Sequence, residues 1–268
     1  MEEIVIYTCI TGDYDVLLPP VSRCGSARYI CFTDNLNTEA KGWEVCGLPE
    51  ISGLNGRTAL NRYCKLFPWE ILPPHRWSIY IDANIRLIKI PKRIIDEMIS
   101  AGVELAIPIH PNRSCIWQEA LACQLLNKIS HTDLLQLNRQ LERYQAEGFP
   151  PHYGLTENNI IFRSGESTRL LPVMEQWWFE FQNGIQRDQL SLPYVLWSTG
   201  FPIYRIPFSA RQVNPYFRIV PHNDSPGLDN YLHVRRYHGI GWSFGFKMMR
   251  LVFIMKHFII VSLFKRNT

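Results

Sequence analysis

The chain has 268 residues, of which 46% are hydrophobic and 13% are aromatic, so it is long enough to bury a full core. This composition excludes disorder over most of the length and is consistent with one large domain or two closely joined ones. The formal charge is only +4 and is not gathered into one basic block. We therefore expect no nucleic-acid partner, whereas an anionic ligand is compatible with this charge.

The predicted elements alternate along the chain. Two strands at 4–10 and 29–33 open it, and a helix at 58–67 stops before a proline. A strand at 77–81, a helix at 91–100 and a strand at 103–109 follow, and then helical spacing covers 116–126 and 132–147. A strand at 159–163 and helices at 168–182 and 186–197 precede a proline-rich region. This order predicts an α/β protein with a mixed, mostly parallel sheet flanked by helices.

We expect residues 1–245 to form one domain, with a helical insertion over the site at about 116–150. The remaining segment, 246–268, is mostly apolar but is interrupted by basic residues, so it is too short for a membrane span of about 20 apolar residues. Two interpretations stay open for it. It is either a helix lying on an anionic membrane surface, such as the inner face of the cell membrane, or a helix packed on the domain.

The seven cysteines are an odd number without a C-x-x-C pair, and several lie in apolar runs, where a thiol packs as a small hydrophobic group. We expect them to be reduced. The first residues enter an apolar run at once, without the regions of a signal peptide. These features predict a cytoplasmic location.

Asp82 and Asn84 directly follow the predicted strand at 77–81. Open α/β sheets bind ligands at the carboxyl ends of their strands. One carboxylate and one amide oxygen two residues apart can bind a divalent cation whose other positions are filled by phosphate oxygens and water. The same two residue types also form ordinary turns, so this pattern leaves both interpretations open.

Six ordered blocks give a more specific signal: YTCITGDYD at 7–15, CFTDN at 31–35, RYCKLFP at 62–68, SIYIDAN at 78–84, HPNRSCIWQEA at 110–120 and RDQLS at 187–191. As a set they resemble the glycosyltransferase-like family typified by plant seed-mucilage and turgor-regulation proteins. The resemblance covers about residues 4–200. It implies a GT-A-type fold, a nucleotide-sugar donor that is expected to be UDP-linked, and Mn²⁺ or Mg²⁺ at Asp82 and Asn84. An amide stands here in place of the second acid, so the site carries less negative charge.

Within this frame, five residues are predicted to bind the donor near the first strands and helix. Tyr7 and Thr8 end the first strand and are assigned to the base, by stacking and hydrogen bonding, and Asp34 to the base or the ribose. Arg62 and Lys65 are three residues apart on a predicted helix, so they share a face that suits a diphosphate. The alternatives are a core position for Tyr7 and solvated surface charges for the two cations.

Five more residues follow later strands and helix starts. His110 and Arg113 are assigned to a phosphate or a sugar carboxylate. Asp188 begins a predicted helix, where it is either a simple cap or, by looser analogy with glycogenin-like enzymes, the catalytic or sugar-positioning carboxylate, with Gln189 beside it at the donor. Glu119 is a second candidate for the catalytic carboxylate, and an exposed surface position is its alternative.

GT-A enzymes often bring a C-terminal histidine to the acidic motif, and His238 is the predicted third metal ligand, with His222 and His233 as rivals. The leading hypothesis is metal-assisted transfer of a hexosyl or uronosyl group from a nucleotide sugar to a glycan or glycolipid hydroxyl. The alternative is a noncatalytic glycan-binding or assembly module on a degenerate GT-A scaffold, because fold alone does not establish activity. A phosphatase with an aspartyl nucleophile is disfavoured, since the first strand ends in Tyr-Thr-Cys.

Overall fold

The computed structural model describes residues 2–12, 14–20, 27–126, 128–130, 132–220 and 222. These residues belong to one compact unit, Met1–Asp224, and a second unit comprises Ser225–Thr268. His233, His238 and the segment 246–268 lie outside the described residues, so the predictions made for them stay predictions.

Nine strands are present in the described part of the chain. They are β1 (Glu2–Ile10), β2 (Ala27–Thr33), β3 (Glu44–Gly47), β4 (His75–Ile81), β5 (Ile85–Leu87), β6 (Leu105–Pro108), β7 (Ile160–Ser164), β8 (Tyr204–Ile206) and β9 (Phe217–Ile219). Seven form one sheet in the order β3-β2-β1-β4-β7-β6-β8, and β5 pairs with β9. All pairs in the large sheet are parallel except those of β7, which runs antiparallel to β4 and β6. This mixed, mostly parallel sheet confirms the predicted fold class.

Seven helices accompany the strands within these described residues. They are α1 (Arg57–Leu66), α2 (Pro68–Ile71), α3 (Lys92–Ala101), α4 (Ile116–Leu125), α5 (Leu134–Ala146), α6 (Leu170–Asn183) and α7 (Asp188–Thr199). Pro68 opens α2, a position where its missing N–H costs nothing, and so separates α1 from α2. Gly200 ends α7 in the left-handed conformation, with φ of 63°, that glycine adopts without a Cβ penalty.

The core lies on the sheet and extends into the helical region 116–150. Residues of β1 and β4 such as Val5 and Ile79 are fully buried, as expected for strands covered on both faces. Leu137 and Tyr144 of α5 are equally buried and belong to the same core cluster. No helix among the described residues is long and apolar enough to cross a membrane.

Candidate active site

The site begins at the carboxyl end of β4. Asp82 follows this strand, and its backbone N–H donates to the carbonyl of Asn159, 2.8 Å away, just before β7. Its own carbonyl accepts from the N–H of Ile85 at 2.8 Å, which closes a turn. Because β7 is antiparallel, its beginning lies beside the end of β4. Asp82 therefore stands at the sheet edge with its side chain 35% exposed.

A buried lysine joins two of the predicted acids. Lys65 Nζ lies 2.6 Å from Asp188 Oδ2 and 3.8 Å from Asp82 Oδ1, while its side chain is only 2% exposed. Arg62 Nε lies 3.7 Å from the same oxygen of Asp188. Gln189, half-buried, follows Asp188 in the first turn of α7. The structure thus brings Arg62, Lys65, Asp82 and Asp188 together, although Asp188 is 123 residues from Lys65 in sequence.

The Asp188 carboxyl group is held in its ionised form. Burial alone would raise its pKa, but the positive charges of Lys65 and Arg62 outweigh burial and lower the pKa from 3.8 to about 2. A general base works best with a pKa near the operating pH. The unliganded geometry therefore favours Asp188 as a fixed negative charge over Asp188 as a proton acceptor.

A second group of polar side chains surrounds Asn84. Its Nδ2 donates to the carbonyl of Val220 at 3.1 Å and lies 3.3 Å from His222 Nε2. The other ring nitrogen, His222 Nδ1, is 2.9 Å from Asp15 Oδ1. With a proton on Nδ1, the ring donates to the carboxylate and the lone pair of Nε2 accepts from the Asn84 amide. A carboxylate orients a metal-binding histidine through Nδ1 in the same way. Tyr14 packs on the imidazole with 4.7 Å between ring centroids.

The side chains at this edge fit a divalent cation weakly. In the described part of the chain, no three His, Cys, Asp or Glu side chains converge as a metal cage. Asp82 and the Asn84 amide oxygen offer one charged and one neutral ligand, and His222 Nε2 becomes a second neutral ligand when the Asn84 amide nitrogen releases it. Mg²⁺ and similar ions are commonly held by one or two carboxylates with substrate phosphates and water completing the shell. These residues therefore suit an ion that binds together with a diphosphate.

Glu119, His110 and Arg113 form a separate cluster. Arg113 Nε donates to Glu119 Oε2 at 2.6 Å, and Cys123 Sγ lies 3.5 Å from Glu119 Oε1. His110 Nδ1 accepts from the backbone N–H of Arg113 at 2.9 Å. Burial, and then the charge of Arg113, lower the pKa of His110 to about 3, so the ring is neutral. Glu119 is buried rather than exposed, so its alternative as a surface residue is wrong, and its predicted catalytic role stays a prediction.

The assignments of Tyr7 and Thr8, which lie within β1, need correction. Tyr7 is fully buried, packs edge-on against Tyr80 with centroids 5.3 Å apart, and donates its hydroxyl to the Lys65 carbonyl. Thr8 is also buried. The prediction that Tyr7 stacks on a base is therefore wrong, because the side chain points into the core. Tyr14, 55% exposed, is the accessible aromatic residue after this strand.

Asp34 binds the loop that follows β1. Its two oxygens accept from the N–H of Gly12 at 2.9 and 3.0 Å, and Arg57 Nε lies 3.0 Å from Oδ2. Gly12 has φ of 66°, a left-handed conformation that suits glycine. Asp34 thus joins the ends of β1 and β2, and a contact with base or ribose stays a prediction.

Sequence reasoning did not assign several residues that the structure brings to this edge. Asp15 lies there, as described, and so does the segment that precedes β7, whereas the sequence predicts His222 only as a rival of His238 for the third metal ligand. Asn158 Nδ2 and Asn159 Oδ1 are buried atoms without a hydrogen-bond partner in the described structure. Buried polar atoms usually have hydrogen-bond partners, and those without a protein partner often bind water or a ligand. The start of β7 reaches the site because β7 is antiparallel, a direction that local patterns do not reveal.

The chain that carries these charged residues at its strand ends is a glycosyltransferase-like protein. The family model described as TOD1/MUCI70, glycosyltransferase-like domain, matches residues 54–205, which is more than half of the chain. The chain belongs to this family, as the ordered blocks indicated. The match includes Arg62, Lys65, Asp82 and Asp188.

The chain resembles the apo crystal structure of mouse xyloside xylosyltransferase 1, with a TM-score of 0.41 and 9% identity, over 76% of this chain and 84% of that one. No curated protein matches significantly. The similarity to the mouse enzyme is too low to assign a donor or an acceptor.

Proposed function

We propose that the chain transfers a hexosyl or uronosyl group from a nucleotide-diphosphate sugar, expected to be UDP-linked, to a hydroxyl of a glycan or glycolipid, with the nucleoside diphosphate as the leaving group. Family membership supports a glycosyltransferase type of function. The observation that carries the proposal is the buried Lys65, which lies between Asp188 and Asp82 at the carboxyl end of β4. Ligands of open α/β sheets bind at this end of the strands.

The two cations suit the diphosphate of such a donor. Lys65 Nζ donates to Asp188 at 2.6 Å and lies 3.8 Å from the partly exposed Asp82, so its positive charge lies close to the sheet edge where the diphosphate would bind. Arg62 is 24% exposed at its side chain and offers a planar donor group that matches phosphate. Fixed positive charges stabilise the leaving diphosphate without reorganisation during the reaction. Asp188 keeps both cations oriented.

Mn²⁺ or Mg²⁺ is part of this proposal. When bound, the ion would neutralise negative charge on the diphosphate. Asp82, Asn84 and His222 are the proposed protein ligands, and Asp15 orients His222 through Nδ1. His222 has this support from the described geometry, while His238 stays an untested candidate.

The donor sugar would lie beside the beginning of β7. The unpartnered atoms Asn158 Nδ2 and Asn159 Oδ1 offer one donor and one acceptor to sugar hydroxyls. Asn159 is tied to Asp82 through its carbonyl, which supports placing the sugar next to the diphosphate. A cytoplasmic location, with peripheral contact of residues 246–268 to an anionic membrane, belongs to the same proposal.

Calorimetry with UDP and other nucleoside diphosphates tests the proposal. Wild-type protein should bind one of them more tightly with Mn²⁺ than without it. Asp82→Ala should abolish the effect of Mn²⁺, and His222→Ala should weaken it about 10-fold or more. Asp96→Ala, on the exposed face of α3, is the matched control and should bind like the wild type. Absence of nucleoside diphosphate binding by the wild type, or an unchanged Mn²⁺ effect in Asp82→Ala, would refute the proposal.

One observation favours the alternative of a noncatalytic glycan-binding or assembly module. Asn84 replaces an acid, and its amide already contacts Val220 and His222. Incubation with a panel of nucleotide sugars and Mn²⁺ or Mg²⁺ separates the two functions. Slow donor hydrolysis supports the transferase, whereas glycan binding with inertness toward every donor supports the module.

A further inference from the structure

Arg163 is a fully buried cation beneath the candidate site. It lies on β7, opposite Ser78 of β4, and its residue surface is 0% exposed. Its guanidinium donates from Nη2 to the Lys65 carbonyl at 2.8 Å and from Nη1 to the Tyr7 hydroxyl at 3.1 Å. Both acceptors are neutral, and its Nε has no hydrogen-bond partner among the described residues. Burying a charge with neutral partners is costly, so this arrangement calls for an explanation.

The Lys65 carbonyl accepts hydrogen bonds from two side chains, Arg163 and Tyr7. It lies in the last turn of α1, where carbonyls lack partners within the helix and favour a nearby cation. The Tyr7 hydroxyl donates to the same oxygen at 3.1 Å. Arg163 and Tyr7 thus hold the main chain of Lys65 from β7 and β1. The Lys65 side chain then extends from this fixed point to Asp188 and Asp82.

The same strand also holds Asp82. Asn159 immediately precedes β7 and accepts the Asp82 N–H at 2.8 Å, and Arg163 lies four residues further on. One short strand therefore sets the position of Lys65 relative to Asp82, although the two belong to different elements. A core residue without this role would need neither a charge nor a guanidinium with two directed bonds.

We infer that Arg163 is a positioning residue that acts through the main chain of Lys65 and aligns the Lys65 ammonium with Asp188 and Asp82. The effect on diphosphate binding rests on the proposed function. The alignment of Lys65 with Asp188 and Asp82 does not, because it requires no ligand. Its consequence for the proposed function is that loss of Arg163 weakens diphosphate binding without any direct contact to the diphosphate. Lysine cannot replace it, since a single ammonium lacks the planar fork that reaches both acceptors.

The test compares Arg163→Lys and Arg163→Met with wild-type protein, and Arg93→Met on exposed α3 is the control. Carbon-13 NMR of the Asp188 carboxyl group, assigned with Asp188→Asn, is followed between about pH 4 and 7. In the wild type and in Arg93→Met, Asp188 should stay ionised throughout. In both Arg163 variants Lys65 should move away, and the carboxyl should begin to titrate toward its ordinary range. Nucleoside diphosphate affinity should fall about 10-fold or more in parallel.

The outcomes separate positioning from simpler roles. If Arg163→Lys behaves like the wild type, charge alone matters and the inference is overturned. If both variants are less stable but keep the Asp188 signal and the affinity, Arg163 is only a core residue, which also overturns it. If neither variant folds, Tyr7→Phe decides, because it removes one of the two bonds to the Lys65 carbonyl. A smaller shift of the Asp188 signal in the same direction supports the inference, and an unchanged signal overturns it.

The Asp188 readout needs no ligand, so it is independent of the proposed function. Wild-type protein that binds no nucleoside diphosphate would refute the function and leave this measurement intact. A wild-type protein that binds the nucleotide, with no response of Asp188 or of affinity in the Arg163 variants, would refute only the positioning role.

Discussion

Replacing Asp188 with Asn should remove a pH-dependent part of the stability. In the folded protein the pKa of Asp188 is about 2 against an ordinary 3.8, since Lys65 and Arg62 outweigh the effect of burial. This difference corresponds to about 2 kcal/mol of unfolding free energy. Because the folded pKa lies below the unfolded one, the stabilisation is complete above about pH 5 and is lost as the pH falls toward 2. At neutral pH the variant should lose about 3 kcal/mol, since Lys65 then stays buried without its closest partner.

Urea unfolding followed by circular dichroism between about pH 3 and 7 measures this effect. The difference in unfolding free energy between wild type and Asp188→Asn should shrink as the pH is lowered. Asp96→Asn, an exposed carboxylate on α3, should change stability by less than about 0.5 kcal/mol and follow the wild-type pH dependence. Parallel curves for the wild type and Asp188→Asn would refute the electrostatic account of the Lys65 pair.

Two further substitutions test the packing and the second cluster. Gly165→Ala should lower the free energy of unfolding by about 1–3 kcal/mol, because the new Cβ would lie 2.2 Å from the His75 carbonyl oxygen. The control Gly47→Ala, where the nearest atom to the new Cβ is 3.9 Å away, should be tolerated. Equal melting temperatures for the two variants in thermal unfolding would contradict this packing. Glu119→Gln should lower stability by about 1–3 kcal/mol, since Arg113 loses a charged partner. Unchanged stability combined with lost sugar transfer would support the catalytic role predicted for Glu119 and contradict this expectation.

Local patterns in the sequence predicted most elements that are long enough to show a period. Predicted strands at 4–10, 29–33 and 77–81 correspond to β1, β2 and β4, and each predicted helix is present with ends shifted by a few residues. The strands β3, β5, β8 and β9 have only three or four residues, too few for a detectable alternation. Their pairing partners, rather than their own sequences, determine them.

The candidate site was predicted in part because several of its residues directly follow strands or begin helices. Asp82 and Asp188 were found in this way. Tyr7 was misassigned because β1 continues to Ile10 and is covered on both faces, so Tyr7 and Thr8 are both buried before the strand reaches its open end. Glu119 was assigned without knowing that Arg113 and Cys123 take both of its oxygens.

The sequence by itself determined the alternating α/β order, the family and the polar residues that end the strands, because each depends on neighbours a few residues apart. Only the tertiary structure decided that Lys65 pairs with Asp188, that His222 reaches Asn84, and that Arg163 lies beneath the site. These contacts depend on strand order and direction. The antiparallel placement of β7 between β4 and β6 brings Asn159 to Asp82 and Arg163 to Lys65, and no local pattern encodes that placement.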